Sequence, residues 1–240
     1  MDALVVLVHS PLVGPSTWFS VADQLGEQGI ESLVPALRDR GSTPPIYRRQ
    51  LAASFQEALA AAPVTRPLVL VGHSGAGPLL PTLADAIRQP VHAFLYVDAA
   101  LPHPGQSQLE EMDETVPAFA GELRELLARG GRYPRWTDDD LRAEIPDPAL
   151  RRLVLAEQQP RGLDYFTEVG PDQSVSRWPA IPAGYLRFTD GYQRFFDQAR
   201  QAGWPVRALP AGHFEMLVHP AAVATTLVDL LDDLGVTSGG

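Results

Sequence analysis

Three residue types in this chain stand where acyl chemistry would need them. Ser74 follows the apolar run Pro67–Val71 within Gly72-His73-Ser74-Gly75-Ala76-Gly77, a strand that turns on small residues directly into a helix. Such an elbow lifts a hydroxyl above the carboxyl edge of a sheet and sets it at a helix amino-terminus. The plainer alternative is a glycine-rich turn in which Ser74 only caps the helix. A serine hydroxyl is a poor nucleophile near neutral pH without a base in hydrogen-bond reach. His213 is the candidate base, in the short loop Pro210-Ala211-Gly212-His213-Phe214 between the last strand and the last helix. Against it stands an ordinary surface-loop histidine. Two carboxylates are placed to orient that base: Asp98, ending Val91–Val97, and Asp190, ending Ala183–Phe188. Either also fits as the cap of the turn that follows it. An acid at the end of a buried strand is costly unless it is paired, which gives Asp98 extra weight.

Composition removes competing chemistries. The 240 residues contain no cysteine, so there is no thiolate nucleophile, disulfide or cysteine zinc site. All 19 basic residues are arginine; without lysine there is no Schiff base, pyridoxal phosphate anchor or phosphate-loop lysine. A net charge of −10 argues against nucleic acid and anionic membranes as partners. The apolar run Ala3–Val8 is too short for a signal segment and lacks a basic start, so the expectation is a soluble cytoplasmic protein.

The elements that would position these residues alternate in period. Leu4–Val8 is a continuous apolar, β-branched run, as for a strand covered on both faces. Trp18, Val21, Ala22 and Leu25 form a helical stripe, Ile30–Val34 a second strand, and Leu51, Phe55, Ala58, Leu59 and Ala62 a second stripe. The elbow strand follows, then a helix through Leu79, Leu80, Leu83 and Ile87, then Val91–Val97. The rhythm lapses at about residue 101 and resumes with Ala183–Phe188, a helix over 191–202, Val206–Leu209 and a closing helix Ala221–Leu234. This predicts a mostly parallel six-stranded sheet with helices on both faces, made by 1–100 and 181–240, with 101–180 as a helical cap inserted over its end.

With these residues in place, the chain resembles an α/β-hydrolase that begins at the third family strand, over residues 3–99 and 183–234. The resemblance rests on Val8-His9-Ser10, on Trp18, on the elbow, and on His213-Phe214-Glu215-Met216-Leu217. It implies Ser74 as nucleophile, His213 as base and no cofactor or metal. The family's usual acid would be Asp190; another branch, including polyketide-type thioesterases, places it after the preceding strand. Val97-Asp98 with Pro102 and Pro104 resembles that branch, so Asp98 is preferred and Asp190 is the fallback.

One departure bears on the reaction. The family's oxyanion hole combines the N–H after the nucleophile, here Gly75, with one from the loop after the first strand. The matching donor position is Pro11, which has no N–H. Loss of one such donor typically costs about 100- to 1000-fold in rate. Leu12 N–H or the Ser10 hydroxyl are the available substitutes, and His9 and His73 are expected to line the site. His92, His103 and His219 read as surface or packing residues. Cap aromatics such as Trp136 and Trp178 imply an apolar pocket, although ordinary packing would place them equally well. The cap arginines (Arg124, Arg129, Arg132, Arg135, Arg151, Arg152) fit either a carrier-protein phosphopantetheine or a solvated face.

Three functions follow. The first is a serine hydrolase cleaving an ester, lactone or thioester of a small-to-medium apolar substrate, free or carrier-bound. The second is a lyase, cyclase or dehydratase using His213 and Asp98 as acid–base groups. The third is a ligand receptor on the same scaffold, which the intact serine, histidine and aspartate disfavour.

Overall fold

The computed structural model describes residues 3–38, 47–62, 65–170 and 180–236. Six strands, β1 (Leu4–Val8), β2 (Ser32–Leu33), β3 (Leu68–His73), β4 (Val91–Val97), β5 (Ala183–Arg187) and β6 (Val206–Ala208), form one parallel sheet in the order β2-β1-β3-β4-β5-β6. The chain moves outward from β1 to β2, then returns to add β3 on β1's other side. Loops leaving β1 and β3 therefore diverge, and a crevice opens at the carboxyl edge between them.

The continuous apolar runs are explained by burial on both faces. In β1, Val5 and Leu7 enter one core and Leu4, Val6 and Val8 the other; β3 and β4 divide the same way. On the first face lie α1 (Ser16–Glu27) and two helices at the end of the chain. On the second lie α2 (Tyr47–Ala61), α3 (Leu80–Asp85) and a helix following β5. Trp18 of α1 is fully buried and its indole N–H donates to the Val8 carbonyl at 3.2 Å, fixing α1 over the end of β1.

Between β4 and β5 run α4 (Gln108–Thr115), α5 (Pro117–Ala128), α6 (Asp138–Leu141), α7 (Pro148–Glu157) and α8 (Leu163–Phe166). They carry a small core of their own, in which Leu109, Leu123, Leu127 and Phe166 pack with Leu12 from the loop after β1. After β5 come α9 (Gln193–Gln201), α10 (Glu215–Val218) and α11 (Pro220–Asp233).

Two elements differ from the periodicity. The expected helix through Leu79–Ile87 begins as a 3₁₀ turn, Ser74–Leu79, and only then becomes the short α3. Pro78 and Pro81 each lack the N–H a regular α-helix would use. The edge strand β2 pairs only at Ser32 and Leu33, with Pro35 close behind.

The elbow is packed to the limit at Gly77, where a Cβ would lie 2.3 Å from the Ala100 carbonyl oxygen. Gly77→Ala is expected to cost about 3 kcal/mol or more, because backbone must move. Gly26, inside α1 with open space around it, provides the contrast: Gly26→Ala is expected to gain about 0.5–1 kcal/mol. Urea unfolding of both variants checks the pair of signs.

Candidate active site

Ser74 adopts φ +56° at the top of β3, a left-handed conformation that L-residues avoid unless the surroundings hold them there. The tight strand-to-helix reversal requires it. The second residue of the turn, Gly75, presents its N–H in the first part of a helix, where no intrahelical acceptor exists.

Among the described residues Asp98 is the other non-glycine with positive φ, at +41°, and its side chain has no solvent exposure. Its carboxylate is fully engaged. Oδ1 accepts the N–H groups of Phe188 and Thr189, both at 2.9 Å, and Oδ2 accepts the Thr189 hydroxyl at 2.9 Å. Oδ2 also accepts Nδ1–H of His213 at 2.8 Å. The turn beyond Asp98 is clamped by Tyr185, whose hydroxyl donates to the Ala99 carbonyl and accepts its N–H. Asp190, by contrast, is almost wholly exposed and ion-paired to Arg187, and its carboxylate does not reach His213 among the described contacts.

With Nδ1 donating to Asp98, the neutral His213 ring presents Nε2 as an acceptor. The ring lies parallel to Tyr192 (3° between planes, centroids 5.4 Å) and against His73 (4.5 Å). His73 Nε2–H donates to the His213 carbonyl at 3.0 Å, so it braces the loop. Ser74 Oγ has as its described partner the hydroxyl of Tyr192, at 3.5 Å, rather than His213. Burial pushes the Tyr192 phenol up, so that hydroxyl remains protonated. No sequence motif marks Tyr192, which reaches the site through the 3₁₀ turn Asp190–Tyr192.

The loop after β1 is built from the cap side. Arg161, buried beside the rings of Tyr47 and Tyr165, donates through Nε and Nη2 to the Pro11 carbonyl at 3.4 and 3.1 Å. Gln159 N–H donates to the Leu12 carbonyl at 2.8 Å. Leu12 N–H points to Ser10 Oγ at 3.4 Å. Ser10 Oγ and the Pro11 ring both face Gly75, lying 3.3 and 3.6 Å from where a Cβ at that residue would be. His9 does not line the site: Nδ1–H donates to the Ser10 carbonyl (2.8 Å) and Nε2 accepts Leu37 N–H (2.9 Å), which makes it a splint for this loop.

Two cavities meet at Ser74 and Tyr192. One, about 480 Å³, is lined by His213, His73, Ser10, Leu12 and Trp136; Trp136 packs edge-on against Phe214. The other, about 220 Å³, runs past Gly75 between α2, α4 and Phe195. Trp178 lies outside the described residues. Of the cap arginines, Arg124, Arg129 and Arg151 pair with Asp113, Glu125 and Asp138, and Arg132 donates to the Pro160 carbonyl.

The sequence matches the profile of the Alpha/beta hydrolase family over residues 5–226. The chain belongs to that family. Comparison with curated protein sequences finds no match. Among solved structures, the fold is similar to an extracellular alpha/beta-hydrolase from a Paenibacillus species, with a TM-score of 0.74, 18% identity, and 95% of this chain and 98% of that one covered. It is also similar to polyneuridine aldehyde esterase (TM-score 0.71, 18% identity, 96% and 99% covered). Tomato methylketone synthase I complexed with 2-tridecanone gives a TM-score of 0.69 at 17% identity, with 98% and 99% covered. The likeness to these structures is in the fold. No described helix is long and apolar enough to cross a membrane.

Burial holds the imidazoles of His9 and His73 below their ordinary range, His73 further because the His213 ring adjoins it. Burial and then Arg194 bring His103 to about 4. These rings are neutral in the folded chain, so between about pH 4 and the ordinary histidine value of 6.5 the unfolded chain binds more protons. Stability is fully present above that window and falls as pH is lowered through it. Urea midpoints at about pH 7 and about pH 5 are expected to show this fall, shallower in His103→Phe. Equal slopes in the two proteins would mean that His103 contributes nothing to the fall.

Proposed function

We propose that the protein is a serine hydrolase that cleaves an ester, lactone or thioester of a small-to-medium, largely apolar substrate. The observation that carries this reading is the 2.8 Å bond from His213 to a carboxylate with no solvent exposure. It fixes the tautomer whose free nitrogen is basic, in a cavity whose wall includes Ser74. In this mechanism the Ser74 hydroxyl turns from Tyr192 to His213, and Oγ attacks the acyl carbon as Nε2 takes its proton. Asp98 stays ionised and stabilises the imidazolium. His213 then protonates the departing alkoxide or thiolate as its bond to carbon breaks. Water, giving its proton to His213, attacks the acyl-enzyme and releases the acid, and the proton returns to Ser74.

The oxyanion needs two donors, and Pro11 supplies none. Gly75 N–H is one. Ser10 is the second in this reading: its oxygen accepts from Leu12 N–H, which leaves the hydroxyl proton to point over Gly75. Helices α4 and α5 supply walls to both cavities, and Tyr133 and Trp136 to the larger one, so the described part of 101–180 acts as the lid. Because several cap arginines are already paired within the cap, a free small molecule fits better than a carrier-bound one. The names of the neighbours include an esterase and a pyrethroid hydrolase from Sphingobium faniae JZ-2.

A second reading is favoured by two observations, Pro11 and the Ser74–Tyr192 contact. It is non-hydrolytic acid–base chemistry by His213 and Asp98, with Ser74 as a hydrogen-bonding residue. A methylketone synthase stands among the neighbours.

Turnover of 4-nitrophenyl esters of graded acyl length separates the two. Hydrolysis is expected, with Ser74→Ala losing at least about a thousandfold in kcat and Asp98→Asn about ten-thousandfold. Ser10→Ala is expected to lower kcat about 100- to 1000-fold with little change in KM. Full activity in Ser74→Ala contradicts the hydrolase mechanism, and full activity in Ser10→Ala removes the serine from the oxyanion site.

A further inference from the structure

The smaller cavity is mostly apolar, with Leu51, Leu79, Met112 and Phe195 in its walls, yet two polar atoms in its wall have no hydrogen-bond partner among the described residues. Glu111, on α4, is 5% exposed, and its Oε1 accepts no hydrogen bond; His103, on the loop before α4, has its Nε2 buried and equally unpartnered. The two atoms are 3.9 Å apart, beyond hydrogen-bond reach. Each is held where it is from outside the cavity. A capping box between Ser107 and Glu110 fixes the start of α4, Glu111 N–H donates to the Ser107 carbonyl, and the His103 ring leans on Phe195. The gap therefore belongs to the architecture. Buried polar atoms without a hydrogen bond are uncommon in folded proteins, and here both stand in the wall of a cavity that a ligand can enter.

We propose that His103 and Glu111 form a distal recognition site for one alcohol hydroxyl on an otherwise apolar substrate. A single oxygen fits between atoms 3.9 Å apart at about 2.8 Å from each. A hydroxyl has the matching polarity, since it donates to the Glu111 carboxyl and accepts from Nε2–H of a neutral His103. That histidine is neutral at ordinary pH, with its pKa at about 4. A carboxylate in the same place would meet Glu111, with Glu114 and Glu168 close by. An ammonium has no lone pair with which to accept from Nε2–H, and Arg48 and Arg194 also act on His103. A carbonyl could use only the histidine. The same cavity reaches Ser74 and Gly75, so the site selects substrates whose reacting group and hydroxyl stand at its two ends. This inference rests on the reading that Ser74's cavity holds the substrate.

The test uses ligands that the proposed hydrolase cannot cleave. Wild-type protein is titrated, with ligand-detected NMR, with 2-alkanones of roughly five to nine carbons and with their ω-hydroxy counterparts. At one chain length the hydroxy-ketone is expected to bind about tenfold or more tighter than the plain ketone. Glu111→Leu and His103→Phe are each expected to abolish or invert that preference, while Glu111→Gln, which still accepts the bond, keeps most of it. Should one apolar variant fail to fold, the other decides. Plain ketones binding as tightly at every length, or a preference unchanged in both apolar variants, overturns the site. Because no turnover is read, failure of the hydrolase reading shows separately, as fluorophosphonate that leaves Ser74 unlabelled.

Discussion

A carboxylate out of contact with water is the constraint around which this molecule is arranged. Asp98, at the end of β4, accepts four hydrogen bonds, and they come from two places in the chain: the Phe188 and Thr189 N–H groups with the Thr189 hydroxyl beyond β5, and His213 in the loop beyond β6. Satisfying it aligns the ends of three strands and delivers the His213 ring in one tautomer. Removing any one donor leaves charge buried and under-compensated, which is expensive in a medium of low dielectric. The positive φ at Asp98 and the Tyr185 clamp on the next residue are the local cost of aiming the carboxylate sideways across the sheet edge.

The same edge explains why the site is divided. β1 and β3 diverge above the switch in strand order, and Ser74 stands in the gap with a cavity on either side. Tyr192 separates them, with its ring along His213 and its hydroxyl near Ser74. The loop after β1 completes the floor, and to the turn it makes on Ser10 it adds bracing from His9 and Arg161. That external bracing is what allows a proline at position 11 without loss of the loop's form.

Much of the frame was legible in the sequence because it rests on local pattern. β1 and β4 coincide with their expected ranges residue for residue: β1 is buried along its whole length and β4 from Ala93 to Val97, as for strands covered on both faces. Ser74, Asp98 and His213 were visible because each ends a strand or follows one closely, where geometry turns side chains toward the crevice. The residues that were not legible act through space. Tyr192 lies in a three-residue turn with no periodicity, and the role of His9 depends on Leu37, 28 residues away. His103 read as packing because burial and a missing partner leave no trace in sequence. The helix after the elbow was read as one piece, while two prolines divide it.

The proposed role of Ser74 as acyl carrier is put to the test by intact-mass spectrometry after exposure to a fluorophosphonate probe. Stoichiometric addition of one phosphonyl group to the wild type, lost in Ser74→Ala, is the result the account predicts. An unlabelled wild type, with the probe shown by NMR to enter the cavity, would contradict it and leave His213 and Asp98 to act as acid–base groups on their own.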